Sequence, residues 1–160
     1  MTQSLLERRR IEAEFAKEIF KALAVELGRE RALEILRKAV IRLAETAGAA
    51  FARSAPGGRA DLLAYAEILA VWKQNDALQL DLKLRQADRL EFDVTRCRYA
   101  DMYRELGIAE LGAVLSCNRD GAFCSGFNPG IRLTRTKTIM AGDDHCDFRY
   151  AALAEPGGEN

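Results

Sequence analysis

The sequence predicts an α+β fold, with N-terminal helices packed on an antiparallel β-sheet of two hairpins and short helices between the hairpins. Three observations carry this. Apolar residues recur at helical spacing through residues 1–72. The period then switches to two over residues 78–95. A second alternating run, 146–150, comes after a Gly-Asp-Asp turn.

The helical part opens with Ser4 three residues before Glu7, a pair whose side chains can each satisfy a free backbone N–H of the other. Ile11, Phe15, Ile19, Phe20, Leu23 and Leu27 continue at helical spacing, and Gly28 is a natural stop. A second helix carries Ala32, Ile35, Leu36, Val40 and Leu43 on its apolar face. It runs out near Ser54, before Pro56-Gly57-Gly58. A third, shorter helix carries Leu62, Leu63, Ala66, Ile68 and Leu69. Such stripes are expected to face the core.

Leu78, Leu80, Leu82 and Leu84 then alternate with Gln79, Asp81, Lys83 and Arg85. After Gln86-Ala87-Asp88, the residues Leu90, Phe92 and Val94 alternate with Glu91, Asp93 and Thr95. Two half-buried strands and a tight turn account for this pattern. Helical spacing returns from Arg96 to about Cys117, split at Gly107 and near Gly112, and Gly121, Gly126 and Pro129-Gly130 punctuate the stretch up to residue 130. The run Ile131 to Met140 reads as a strand leading into the turn Ala141-Gly142-Asp143-Asp144. The last strand alternates Cys146, Phe148 and Tyr150 against Asp147 and Arg149. The expected organisation is one α+β domain over 1–154, with a helical part (1–72), a sheet and motif part (77–151) and a frayed tail (155–160).

With 49% hydrophobic and 30% charged residues, the 160-residue chain can build an ordinary globular core. Its 24 basic and 24 acidic residues cancel, so no whole-chain field favours nucleic acid or an anionic membrane. No apolar stretch comes after the charged start, and none approaches a membrane span, so a cytoplasmic protein is expected. Its four cysteines are then expected to be reduced, and buried, reactive or metal-binding.

Cys97 ends the second strand and opens a helix, where unpaired N–H groups, with Arg96 and Arg98 beside it, favour a thiolate. The same position equally suits a buried cysteine acting as a small hydrophobe. Cys117-Asn118-Arg119-Asp120 places a thiol and a carboxylate on one face of a helix. Asp120 there is a candidate general base toward water, or a helix cap beside a core cysteine. Arg119 either holds an anionic group or is solvated. His145 is the only histidine, which excludes a His-rich metal site. Cys97, Cys117 and Cys146, with Asp120 or His145, would suit zinc only if the fold brought them together, and no CxxC pair supports that. Cys124 reads as core or as a residue supporting the site from behind. Phosphate-cradling loops, dinucleotide fingerprints and nucleophile elbows are all missing.

These residues carry a resemblance. Cys97 with Tyr99, Cys117-Asn118-Arg119-Asp120, Arg135-Thr136-Lys137-Thr138-Ile139 with Gly142, and Cys146-Asp147-Phe148-Arg149-Tyr150 together resemble the L-2-amino-thiazoline-4-carboxylic acid hydrolase family. The likeness covers residues 90 to 151 closely and the helical N-terminal half in its general layout, and its closing hairpin is its most specific part. His145 stands where another cysteine is common, and residues 124–130 look individual, which bears on the substrate more than on the class. Such domains are also distantly similar to vinyl-reductase-type sensory domains and their vesicle-trafficking relatives, a likeness of fold alone.

The resemblance implies a ring-opening hydrolase acting on a small cyclic amidine or isothiourea that bears a carboxylate. The family's named substrate is opened by water to N-carbamoyl-L-cysteine. The implied catalytic set is Cys117, Asp120, Cys97 and Cys146: a cysteine thiolate (Cys117 first, Cys97 second) or an Asp120-activated water attacks the ring carbon. Arg135 or Arg119 would clamp the substrate carboxylate, Asn118 and Asn128 would orient ring nitrogens, and Thr136 and Thr138 complete the binding candidates. No cofactor is implied, although zinc or another divalent metal stays open. Two other readings remain: a non-catalytic small-ligand or zinc-binding module of the vinyl-reductase type, and an interaction domain. The amphipathic first helix is compatible with a homo-oligomer in each case.

Overall fold

The computed structural model describes residues 3–153, so the expected tail lies outside the described residues. Helix α1 (Leu5–Leu27) starts as its sequence dictates. The Glu7 N–H donates to Ser4 Oγ at 3.2 Å, and the Ser4 N–H donates to the Glu7 carboxylate at 2.9 Å. Gly28, at φ +83°, turns the chain in a single residue into α2 (Arg29–Arg53).

The expected α1 stripe is only partly the core face. Phe15 is 70% and Ile11 56% exposed, and Ile19 and Leu27 are exposed too, as is Leu43 of α2. The face that packs inward instead carries Ala13, Ala16, Phe20, Leu23 and Ala24. Two helices joined by one residue must run close together, and alanines permit that approach where larger side chains would hold them apart.

Residues 62–72 form two short helices rather than one, α3 (Leu62–Tyr65) and α4 (Ile68–Trp72). Asp61 caps the first by accepting the Ala64 N–H at 2.9 Å. The predicted hairpin comes next as β1 (Leu78–Arg85) and β2 (Arg89–Cys97). After it come α5 (Arg98–Glu105), α6 (Ala109–Gly112), a π-helical turn (Ala113–Cys117) and α7 (Asn118–Phe127).

Helix α7 runs straight through Gly121 and Gly126, although both glycines read as punctuation in the sequence. The reason for Gly126 is packing. A Cβ there would lie 2.1 Å from the Glu45 carbonyl oxygen, and a Cβ on Gly48 would lie 2.1 Å from that of Phe123. The two glycines therefore let α2 and α7 touch backbone to backbone.

The sheet is antiparallel, in the order β1-β2-β4-β3, with β3 at Ile131–Thr134 and β4 at Cys146–Ala152. The predicted strand from Ile131 to Met140 is cut short at Thr134 because the Asp147 side chain captures the chain beyond it. Its carboxylate accepts the Thr136 N–H at 2.9 Å, the Lys137 N–H at 2.6 Å and the Thr136 hydroxyl at 2.6 Å. The inner face pairs Leu90 with Tyr150, Phe92 with Phe148 and Val94 with Cys146 across β2 and β4. One core lies between this face and α3, α4 and α7, and a second lies among α1, α2, α5 and α6. Among the described residues, no helix is long and apolar enough to cross a membrane.

Candidate functional site

Register places the C-terminal end of β2 beside the start of β4 and the start of β1: Val94 faces Cys146, and Cys97 faces Leu78. A cavity of about 250 Å³ opens at this end of the sheet. The sheet supplies Leu78, Val94, Cys97, Cys146 and Phe148; the π turn and α7 supply Ser116, Cys117, Arg119, Asp120 and Phe123. Helix α4 adds Ile68, Val71 and Trp72, and α1 closes the space with Leu5, Arg8 and Arg9. All four residues of the expected catalytic set, together with Arg119 and Arg135, therefore line one space.

Asp120 and Arg135 form its polar centre. Arg135 Nη1 donates to Asp120 Oδ2 at 2.5 Å, and Nη2 donates to the Cys117 carbonyl at 3.1 Å. Its guanidinium carbon lies 4.8 Å from the centre of the Phe148 ring, a cation–π contact. The side chains are only 21% and 14% exposed, and because Asp120 lines the cavity, its exposed fifth opens there. Burial pushes the Asp120 carboxyl up, and the guanidinium beside it offsets this only in part. Burial also works to lower Arg135, but contact with Asp120 outweighs it and keeps the guanidinium charged. Asp120 Oδ1 makes no hydrogen bond among the described residues, and Asp120 lines the cavity.

The thiols are neutral. Burial pushes Cys97 up to about 11, overriding the N–H groups of Ala100 and Tyr99 at the start of α5. Cys117 is pushed up to about 12, first by burial and then by the nearby Asp120 charge. At that value only about one thiol in 100,000 is ionised at pH 7. The expected activation of Cys97 by flanking arginines fails because both turn outward. Arg96 pairs with Asp76 at 3.4 Å, and Arg98 donates to the Asn75 carbonyl at 2.8 Å. Cys146, also raised by burial, accepts the Ile139 N–H at 3.2 Å. Cys124 is core, as expected, with its sulfur against the Ile131 carbonyl.

The cationic corner has a source that sequence reasoning missed. Arg9 donates to Glu12 at 2.6 Å, Arg119 donates to the same carboxylate at 2.9 Å, and Arg8 pairs with it at 3.2 Å. Three guanidinium groups thus share one carboxylate. Burial and the like charge of Arg9 together depress Arg119. A signal existed in the sequence: Arg8-Arg9-Arg10 stands near the positive end of a helix, where cations are disfavoured unless something else holds them.

Other expected binding residues lie elsewhere. Asn128 ties its own loop to the segment before α3, with Nδ2 donating to the Ala60 carbonyl at 2.8 Å and Oδ1 accepting the Gly130 N–H at 2.7 Å. Thr136 is exposed and held by Asp147, while Thr138 caps the turn at 139–141 through the Ala141 N–H. Asn118 and Thr138 line a second, outer depression, which meets the cavity only at Cys117 and Arg135. Asn118 Nδ2 is buried without an acceptor among the described residues. His145 sits on the final turn against Asp144 at 2.6 Å. Among the described residues, no three His, Cys, Asp or Glu side chains are grouped to hold a metal ion, so the zinc alternative has no ligand set here.

Solved structures share the fold. The chain is similar to the phenol-responsive sensory domain of the transcription activator PoxR, solved with phenol, at 14% identity and a TM-score of 0.53. The match covers 94% of this chain and 77% of that one. It is also similar to trafficking protein particle complex subunit 3 from Naegleria fowleri, covalently bound to palmitic acid, at 11% identity and a TM-score of 0.52. That match covers 92% of this chain and 98% of the other. At such identities the likeness is one of fold. No curated protein sequence matches. The model of the L-2-amino-thiazoline-4-carboxylic acid hydrolase family matches residues 8–150, spanning the first arginines and the closing strand alike, and the chain belongs to that family.

Proposed function

We propose that this cavity opens a small cyclic isothiourea or amidine ring by general-base hydrolysis, with Asp120 as the base. The observation that carries the reading is the buried Asp120 carboxylate, one oxygen fixed by Arg135 and the other without a hydrogen bond, on the wall of a space it shares with Cys97, Cys117 and Cys146. A carboxyl raised by burial is a stronger base than an exposed one, and the ion pair fixes its orientation.

L-2-amino-thiazoline-4-carboxylate binds through its carboxylate to Arg9 and Arg119, whose positive charge exceeds what Glu12 neutralises. On the ring protonated at nitrogen, water attacks the carbon between nitrogen and sulfur, and the C=N electron pair moves onto nitrogen. Asp120 Oδ1 takes one water proton, while the other leaves to solvent as the carbonyl forms. The carbon–sulfur bond breaks, the departing sulfur takes the proton back from Asp120, and the product is N-carbamoyl-L-cysteine. Water is favoured over a free thiolate as the attacking group because Cys117 and Cys97 are held protonated, at about 12 and about 11. Arg135 positions Asp120 and does not clamp substrate.

Release of a new thiol from the substrate by the purified protein tests this, with Asp120→Asn as control. General-base catalysis contributes about 10²–10⁴-fold, so that variant should lose at least about 100-fold in kcat. Undiminished turnover in Asp120→Asn removes Asp120 from the role. A second reading, ligand binding without turnover, draws support from the protonated thiols and the apolar walls. Saturable binding with no thiol released would select it.

A further inference from the structure

We infer that the cavity is shaped for a ring carboxylate bearing a compact apolar substituent, rather than for the unsubstituted ring; this rests on the proposed carboxylate site at Arg9 and Arg119. Along α7 the wall changes character within one turn. Arg119 and Asp120 carry charge, while Phe123, three residues beyond Asp120, is aromatic and lines the same space. Trp72 meets Phe123 at 6.3 Å and Phe148 at 6.5 Å between ring centres, which joins α4, α7 and β4 into one aromatic wall. Ile68 and Val71 of α4 continue it, and α4 brings no charged side chain to the cavity.

A small polar ring held by its carboxylate has nothing with which to cover that wall. Water left against it gains no hydrogen bonds from the aromatic faces, so an aryl or branched alkyl group on the ligand displaces it favourably. Size points the same way. At about 250 Å³ the space falls just below the roughly 300–1,000 Å³ usual for small-ligand sites, which matches a phenyl- or isopropyl-sized group.

The test is calorimetric titration of the wild-type protein with L-thiazolidine-4-carboxylate and with its 2-phenyl derivative. Both carry the carboxylate and neither has the isothiourea carbon, so the result does not depend on turnover. A single methylene in an apolar pocket is worth roughly 10-fold or more, so the phenyl compound should bind at least about 10-fold tighter. Trp72→Ala should abolish most of that advantage and leave the parent compound's affinity nearly unchanged. Arg9→Gln should weaken both ligands alike. Equal affinities, tighter binding of the parent, or binding of neither on the wild-type protein overturns the inference. Thiol release from the unsubstituted substrate is scored separately: turnover without a phenyl preference refutes only the substituent. A phenyl preference without turnover refutes only the hydrolase reading.

Discussion

Breaking the Asp120–Arg135 pair gives a stability change that can be worked from its geometry. Charge centres about 4 Å apart interact by about 4 kcal/mol at an effective dielectric of 20, and desolvation of both groups offsets much of that. Removing one partner is worse than removing both, because the survivor is left buried and unpaired at about 3–5 kcal/mol. The side chains retain 21% and 14% exposure, so solvation reduces the cost to about 2–4 kcal/mol. Asp120→Asn keeps the shape and removes only the charge. With a urea slope of about 2 kcal/mol/M, a loss of about 3 kcal/mol moves the unfolding midpoint down by about 1.5 M. Arg135→Gln should cost a similar amount, and the double variant no more than either single, giving a coupling energy of about 3 kcal/mol. Circular dichroism across urea titrations of the four proteins reads this directly. Additive effects, with no coupling, would show that the two groups do not meet and would refute the reasoning.

Other parts of the fold carry consequences of their own. Gly126→Ala places a methyl 2.1 Å from the Glu45 carbonyl oxygen, so α2 and α7 must separate; unfolding should show a loss of at least about 1–3 kcal/mol, whereas Gly121→Ala, with nothing within 4 Å, should be tolerated. Alkylation of Cys117 and Cys97, read by mass spectrometry, should be slow at pH 7 and climb about tenfold per pH unit toward the values of about 12 and about 11; a plateau by pH 8 would contradict their burial. For Asp147, burial works to raise the carboxyl, but hydrogen bonds from Thr136 and Lys137 outweigh it and hold it near about 2 against an ordinary 3.8. A folded value below the unfolded one means this stabilisation is present above about pH 4 and is lost as pH falls toward 2, so Asp147→Ala should flatten that part of the acid-unfolding curve.

The sheet was legible because its signal is local: alternation over residues 89–95 and 146–150 states which face is buried, and Phe92, Val94, Phe148 and Tyr150 are inside. On the edge strand β1 the same alternation overstates burial: its register shifts twice and Leu82 is exposed. The α1 stripe misled because helical periodicity identifies an apolar face without saying what lies against it. Ile11 and Phe15 have the right spacing and remain outside, while the alanines that permit close packing carry little signal. Gly121 and Gly126 read as breaks because the benefit of a glycine at a helix crossing lies on the other helix. At the site, the cysteines, Asp120 and Arg135 could be named from motif spacing, but their charge states could not. Whether Cys97 at a helix start becomes a thiolate depends on burial by Trp72, Phe148 and α1, all distant in sequence. For the same reason Arg9 and Glu12 were missed: their partner Arg119 lies more than 100 residues away.

Turnover of L-2-amino-thiazoline-4-carboxylate in ¹⁸O-labelled water puts the proposed hydrolysis to its most direct test. Water attack predicts a free thiol and N-carbamoyl-L-cysteine carrying one heavy oxygen at the carbamoyl carbon, with both signals reduced together in Asp120→Asn. A folded, ligand-binding protein that yields neither thiol nor label would contradict it.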